Sequence, residues 1–424
     1  MPKGRLLSAL PAINQGGKMK KNIIIGQSGG PTAVINGSLY GAVTKGLQHS
    51  ESIGRVYGMI NGIEGFLLGN YMDMSELADD DSLERLRVTP GAYLGSCRYK
   101  LPEDLGDPVY PQIFEKFQEL DIEYFFYIGG NDSMDTVSKL SRYAKTVNSP
   151  LRVIGIPKTI DNDLIKTDHT PGFGSAAKYV ATMVREMSLD VSGYKNTPSI
   201  TIVEIMGRHA GWLTGASALA RKHKNDNPLL IYLPETVFDI DTFFAQAKKA
   251  LAITPNVLVC ISEGIRDADG KFICEYSGAT GTDTFGHKEL AGAGKYLENL
   301  IRSKFGIKVR SVELNICQRC SSSCLSATDL QEAIQAGAFA VEAALAGETG
   351  KMVTFVRESD TPYALSFSLS DVNEICNAEK KVPLDWITPD GCDVTEAFLT
   401  YARPLIQGEE EVPHKDGLPD FIYR

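Results

Sequence analysis

Apolar residues fall along this chain in two alternating kinds of run. One kind is short and nearly unbroken: "NIIIGQ" (22–27), "RVYGMI" (55–60), "EYFFYIGG" (123–130) and "RVIGIP" (152–157). Their length and their β-branched and aromatic content predict buried strands. The other kind is periodic. Ile35, Leu39, Val43 and Leu47 recur at every fourth position, which predicts one buried helix face. Further helices are predicted near 132–146, 173–189, 209–222, 239–251, 289–304 and 326–346. Further strands are predicted near 199–205, 229–233, 256–262, 308–314 and 352–356. Strand–helix alternation of this extent predicts an α/β fold of two lobes, with mainly parallel sheets flanked by crossover helices. There is no short internal repeat. The stretch from about 380 carries prolines and "GEEEVP" and is expected to wrap the surface.

In such sheets ligands bind at the carboxyl ends of the strands. "GQSGGPT" follows the first strand, "IGGNDS" the third and "GIPKTIDND" the fourth, so three loops converge on one crevice. Gly29 and Gly30 let backbone amides approach an anion at a helix N-terminus. Taken alone, the same glycines also read as a tight turn. Asp132 and Ser133 start a helix. They read either as an N-cap or, with Asn131, as holders of a phosphate-bound Mg2+. "PKTIDND" tips the balance towards chemistry. Asp161 and Asp163 stand two apart, so an extended loop aims both into one cleft. One carboxylate can orient a hydroxyl and take its proton as it attacks phosphorus. Lys158 can stabilise charge on the transferring or leaving phosphate. Arg208 lies at a strand-to-helix turn, Glu263 at a strand end, and Arg310 and Arg319 around a strand. Arginines in a cleft suit bidentate phosphate capture, though each alone is more often a surface residue. Arg98, ending "PGAYLGSCR", is a further candidate clamp. His209, beside Arg208, reads as a cap or core residue and is given no chemistry.

Composition narrows the class. A chain of 424 residues exceeds one compact core. A net charge of −10 argues against a nucleic-acid surface. No stretch approaches the roughly 20 uninterrupted apolar residues of a membrane helix. The N-terminus lacks the unbroken apolar segment of a secretory signal, so a cytoplasmic protein is expected, with residues 1–18 an extension of no fold role. Eight cysteines are too sparse for a disulfide scaffold. Cys317, Cys320 and Cys324 form C-x2-C-x3-C, which suits an iron–sulfur or zinc site. A closed zinc site wants four ligands, however, and no nearby residue completes one.

The ordered set "QSGGPT", "LGSCR", "IGGNDS", "PKTIDND", "TPGFGSAAKY", "VEIMGRHAGWLT" and "ISEG" resembles the phosphofructokinases over about residues 22–330. The resemblance implies two α/β lobes around a substrate cleft, with Mg2+-dependent phosphoryl transfer to the 1-hydroxyl of fructose 6-phosphate. It implies Asp161 as catalytic base with Thr159 and Asp163 as companions, and Arg98 as stabiliser of the moving group. Met206, Gly207, Arg208 and Glu263 match sugar-binding positions, and Arg310 and Arg319 match ligands of the 6-phosphate. Asp132 stands where ATP-using members have glycine, and Lys158 where many have glycine. Both resemble the pyrophosphate-dependent branch: Asp132 would repel an α-phosphate and Lys158 would stabilise a short leaving group. Gly29, Gly30, Asn131, Asp132 and Ser133 would then surround pyrophosphate, with Asp132 the metal ligand. Three positions depart from the family pattern: Asn131 for aspartate, "CSSSC" after Arg319 for Gly-Gly, and Ser199 for an arginine often lent across a subunit interface. The expected lobes are 19–165, with the chain returning over 321–424, for pyrophosphate, and 166–320 for the sugar phosphate. A homo-oligomer, dimer or larger, is expected, with no nucleic-acid or membrane partner. The rival readings are an ATP-dependent enzyme of the same fold, a catalytically silent sugar phosphate-binding subunit and an iron–sulfur protein. Retention of Asp161, Thr159 and Arg98 argues against silence.

Overall fold

A computed structural model describes residues 20–78, 81–194, 196–278, 292–376 and 378–424. The expected extension over 1–18 lies outside them, as do positions 289–291 of a predicted helix. The strands are β1 (Lys21–Gln27), β2 (Ile53–Met59), β3 (Tyr71–Asp73), β4 (Ile122–Gly129), β5 (Arg152–Pro157), β6 (Ser199–Ile205), β7 (Leu230–Tyr232), β8 (Asn256–Ser262), β9 (Lys308–Glu313), β10 (Lys351–Asp360) and β11 (Tyr363–Asp371). The helices are α1 (Ile35–Gln48), α2 (Gly62–Leu67), α3 (Ser82–Val88), α4 (Val109–Glu119), α5 (Asn131–Thr146), α6 (Phe173–Ser192), α7 (Trp212–Ala216), α8 (Ile240–Ile253), α9 (Ala293–Phe305), α10 (Cys317–Cys320), α11 (Ala327–Leu345) and α12 (Glu396–Ala402).

Two sheets organise these elements. The first has the order β11-β10-β5-β4-β1-β2-β3, parallel except at its antiparallel edges β11 and β3. The second, β7-β8-β6-β9, is parallel throughout. β1 shows why its run is unbroken. Ile24 faces the cluster built with α2, α4 and α5, while Ile23 and Ile25 face the one built with α1 and α11. All three are fully buried because helices cover both faces of the sheet. α1 and α11 pack at backbone distance. A Cβ on Gly41 would lie 1.9 Å from the Ile334 carbonyl oxygen, and one on Gly337 would lie 2.1 Å from that of Ser38.

The predicted helix over 209–222 is shorter than expected. A loop holds 207–211, α7 follows, and a 3-10 turn closes at Ser217–Ala220. The expectation for the tail needs correction. Residues 382–405 do not merely wrap the surface but enter a core. Phe398 and Ala402 are fully buried, and the Trp212 ring lies 6.0 Å from Phe398 and 5.1 Å from Tyr401. The acidic "GEEEVP" composition hid this aromatic insertion. Among the described residues, no helix is long and apolar enough to cross a membrane.

Candidate active site

The three glycine-bearing loops are laced together by backbone. Gly29, at φ +76°, donates its amide to the Cys97 carbonyl at 3.3 Å, and Ser96 Oγ donates to the Gly29 carbonyl at 2.6 Å. This ties the first loop to the Arg98 loop. The Lys158 amide donates to the Gly129 carbonyl at 3.0 Å, joining the ends of β4 and β5. Lys158 then turns back, and its Nζ donates to the Gly30 carbonyl at 2.6 Å with the side chain 2% exposed. Gly130 caps α5, placing Asp132 in the first turn and burying Ser133.

The acidic loop owes its shape to Asn162. That residue sits at φ +54° and is fully buried, with Nδ2 donating to Tyr401 Oη at 2.8 Å. A left-handed residue turned inward leaves its neighbours, Asp161 and Asp163, lining the cleft. The Asp161 amide donates to Thr159 Oγ1 at 3.1 Å, and the Thr159 amide to the Pro171 carbonyl at 3.2 Å. Opposite, Gly207 adopts φ +138°, and a Cβ there would strike the Ala210 carbonyl oxygen at 2.5 Å. Its amide donates to Glu263 Oε1 at 3.3 Å, and its carbonyl accepts from Ser262 Oγ at 2.5 Å. These bonds aim Met206 and Arg208 into the same space.

The resulting cleft measures about 790 Å³. It is lined by Gly29, Gly30, Arg98, Asn131, Asp132, Ser133, Lys158, Thr159, Asp161, Asp163, Met206, Arg208, Glu263 and Arg319. Gly207 contributes as the hinge between two of them. Arg310 is not among them. It is exposed on β9, opposite Thr201 of β6, and lines a separate hollow of about 240 Å³ with Ser199 and Lys308. It stands in the N-terminal half of β9, whereas the cleft opens beyond the carboxyl ends of the strands. Arg319, which the resemblance implies as a ligand of the sugar 6-phosphate, lines the cleft and stands beside the first glycine loop. A Cβ on Gly30 would lie 3.1 Å from its Nη1.

Burial sets the electrostatics. It pushes Lys158 down to about 8 against the pull of Asp161 and Asp163, with Arg319 and Arg98 adding to the depression. It raises Asp161, opposed by the charges of Lys158, Arg208 and Arg319. Asp163 rises to about 7 through burial and then through Asp161, and Glu263 to about 7 for the same two reasons. Acids and a base tuned towards neutrality in one cleft suit proton transfer coupled to attack on an anionic centre. Among the described residues, two buried polar atoms there have no hydrogen-bond partner, Asn131 Oδ1 and Arg208 Nε. Both are positioned for groups a ligand brings.

The sequence reading missed three ionisable cleft residues. His209 lines the cleft, with Nδ1 3.9 Å from Glu379 Oε2. Glu379 and Lys381 line it from the tail, over 200 positions after Asp161. "AEKKVP" carries no signal beyond charge, which ordinarily marks a solvated turn. Cys317 and Cys320 are exposed on α10 and Cys324 is buried. Among the described residues, no group of three or more His, Cys, Asp or Glu side chains is placed to hold a metal ion by itself.

Known proteins are similar to this chain over most of its length. The sequence profile described as Phosphofructokinase matches residues 22–344. A pyrophosphate–fructose 6-phosphate 1-phosphotransferase of Methylococcus capsulatus is 41% identical over 404 residues, covering 95% of both chains. A crystal structure of a pyrophosphate-dependent phosphofructokinase from Marinobacter aquaeolei superposes with a TM-score of 0.85 at 38% identity, covering 95% of both chains. Another, from Nitrosospira multiformis, gives 0.86 at 36%, covering 95% of this chain and 96% of that one. Two mainly parallel sheets, a cleft carrying "PKTIDND" and similarity of this extent lead to one conclusion: the chain belongs to the phosphofructokinase family.

Proposed function

We propose that this chain transfers a phosphoryl group reversibly from pyrophosphate to the 1-hydroxyl of fructose 6-phosphate, giving fructose 1,6-bisphosphate and phosphate. The observation that carries the donor assignment is Lys158, buried against the Gly30 carbonyl, with Asp132 lining the same end of the cleft. A fixed ammonium there matches a compact dianionic leaving group. The Asp132 carboxylate opposes the α-phosphate of a nucleotide by bulk and like charge. The names of the relatives support the same donor and acceptor.

Asp161 takes the 1-hydroxyl proton as that oxygen attacks phosphorus in line, and the bond to the bridging oxygen breaks. Lys158 and Arg98 balance the charge that moves onto the leaving phosphate. Thr159 holds the Asp161 amide, and Asp163 sits beside the base and, when ionised, adds negative charge next to it. Arg319 is assigned to phosphate binding from the donor side, and Met206, Gly207, Arg208 and Glu263 to the sugar. Mg2+ fits Asp132 and the unpartnered Asn131 Oδ1, because this ion takes one or two protein oxygens and completes its shell with substrate phosphates and water. When bound it supplies charge neutralisation to the phosphates.

We also propose a homo-oligomer in the cytoplasm, with residues 19–165 and the returning chain serving pyrophosphate and 166–320 serving the sugar phosphate. In that reading Arg310 acts only at the cleft of a second copy, since it lies outside its own. The deciding experiment is a steady-state assay of fructose 6-phosphate with pyrophosphate against ATP at fixed Mg2+. Pyrophosphate turnover with ATP near background is expected, and preference for ATP would replace the donor assignment with its nearest rival.

A further inference from the structure

The segment after β11 bridges loops of both sheets at the edge of the cleft, and its course is fixed at Lys380. The Lys380 side chain is largely buried. Its Nζ donates to the carbonyls of Asp168 at 2.6 Å and Thr167 at 3.2 Å, and to Asn162 Oδ1 at 3.3 Å. Its amide donates to the Asp163 carbonyl at 2.7 Å. From the second sheet's side, Trp212 Nε1 donates to the Lys380 carbonyl at 3.0 Å, and Glu235 Oε1 accepts the Val382 amide at 3.0 Å. These anchors leave the strap little latitude.

With Lys380 turned inward, its neighbours Glu379 and Lys381 line the cleft. Lys381 is exposed and makes no ion pair among the described residues. The Glu235 carboxylate feels its charge; Oε1 of that group accepts the amides of Gly211 and Val382, while Oε2 has no hydrogen-bond partner among the described residues and forms no ion pair with Lys381. The strap's neighbours also fix which end of the cleft it serves. Glu235 holds Gly211, three residues past Arg208, and Glu379 approaches His209. Lys381 therefore stands at the sugar edge, away from the Lys158–Gly30 pair. Arg208 lines this edge, and its Nε has no hydrogen-bond partner among the described residues, so Lys381 would stand beside it as a second cation. An uncommitted ammonium on a pinned backbone has little ordering left to lose on binding an anion.

We propose that Lys381 is a ligand of the phosphate carried by the acceptor sugar, supplied from the chain's own tail. The inference rests on the reading of the cleft as a sugar phosphate phosphotransferase site. The test compares wild type, K381A and K381R. Each enzyme is assayed with fructose 6-phosphate varied at saturating pyrophosphate, and then the reverse. Each is also titrated calorimetrically with fructose 6-phosphate in the absence of donor. K381A should raise both the KM and the Kd for fructose 6-phosphate about 10- to 100-fold, the scale of one lost charged hydrogen bond. Its KM for pyrophosphate should stay within about twofold, and K381R should recover most of the loss. Because Lys381 is exposed, the melting temperature should not move. A fructose 6-phosphate Kd within twofold of wild type in K381A overturns the inference. So does an equal loss for both substrates, which would mean a diffuse field effect. A wild type that ignores pyrophosphate but binds the sugar phosphate sinks only the donor reading, and the calorimetric comparison then still judges Lys381.

Discussion

At Lys158 the backbone of three loops and the charge of the cleft meet in one side chain. Burial holds its value near 8, below the ordinary lysine range, so its positive charge is lost as pH rises through about 8. The kcat/KM for pyrophosphate should therefore decline on that alkaline limb, since this ratio follows the free enzyme. Lys158→Met should lower the plateau and remove the limb, and a pH series of initial rates checks both. Asp161 works in the opposite sense. Burial raises it, so the ionised base is lost on the acid side, earlier than for an exposed carboxylate. Asp161→Asn should cut kcat by about 10²–10⁴-fold while calorimetric binding of fructose 6-phosphate survives. Asp132→Gly should lose pyrophosphate turnover and gain some with ATP. A variant that gains nothing with ATP would place nucleotide exclusion elsewhere in the pocket.

The aromatic insert at α12 is the element on which the rest of the tail depends. Phe398 is fully buried against Trp212, and Phe398→Ala should cost about 3–5 kcal/mol, read from denaturant midpoints. Elements of this kind resist reading from sequence, and the cases differ in cause. β1, β4 and β5 are legible because helices cover both faces and the strands keep unbroken apolar runs. α4 is hidden by Pro111, which looks like a breaker but sits in the first turn, where no intrahelical donor is needed. β11 carries a period-two signal in Leu365, Phe367 and Leu369, yet it pairs antiparallel at an edge, which strand–helix alternation does not suggest. The site divides in the same way. "GGPT", "GGNDS" and "PKTIDND" announce themselves because each loop is local to one strand end. The distance of Arg310 from the cleft depends on how far along β9 it stands, and the arrival of Lys381 depends on a contact between distant parts of the chain. Neither leaves a local trace.

At the scale of the whole molecule, two sheets and a returning tail enclose a cleft rich in cations within a chain of net charge −10. The exposed hollow with Lys308 and Arg310 gives the proposed assembly a measurable signature. Light scattering should report a dimer or larger. Arg310→Ala should then raise the KM for fructose 6-phosphate without changing the mass, whereas an unchanged KM would leave Arg310 without a part in the site. Ending the chain after residue 377 should abolish turnover, because it removes Lys380 from Asn162 and Asp163 together with α12. That dependence has a consequence in time. Asp161 leaves the ribosome more than 200 residues before Lys380 does. At ~5–20 residues per second, the lag is about 10–40 s. Throughout it, the nascent chain carries Asp161, Lys158 and the glycine loops but lacks the strap that secures the acidic loop. Turnover should therefore be absent from a nascent chain until Lys380 and α12 have been made.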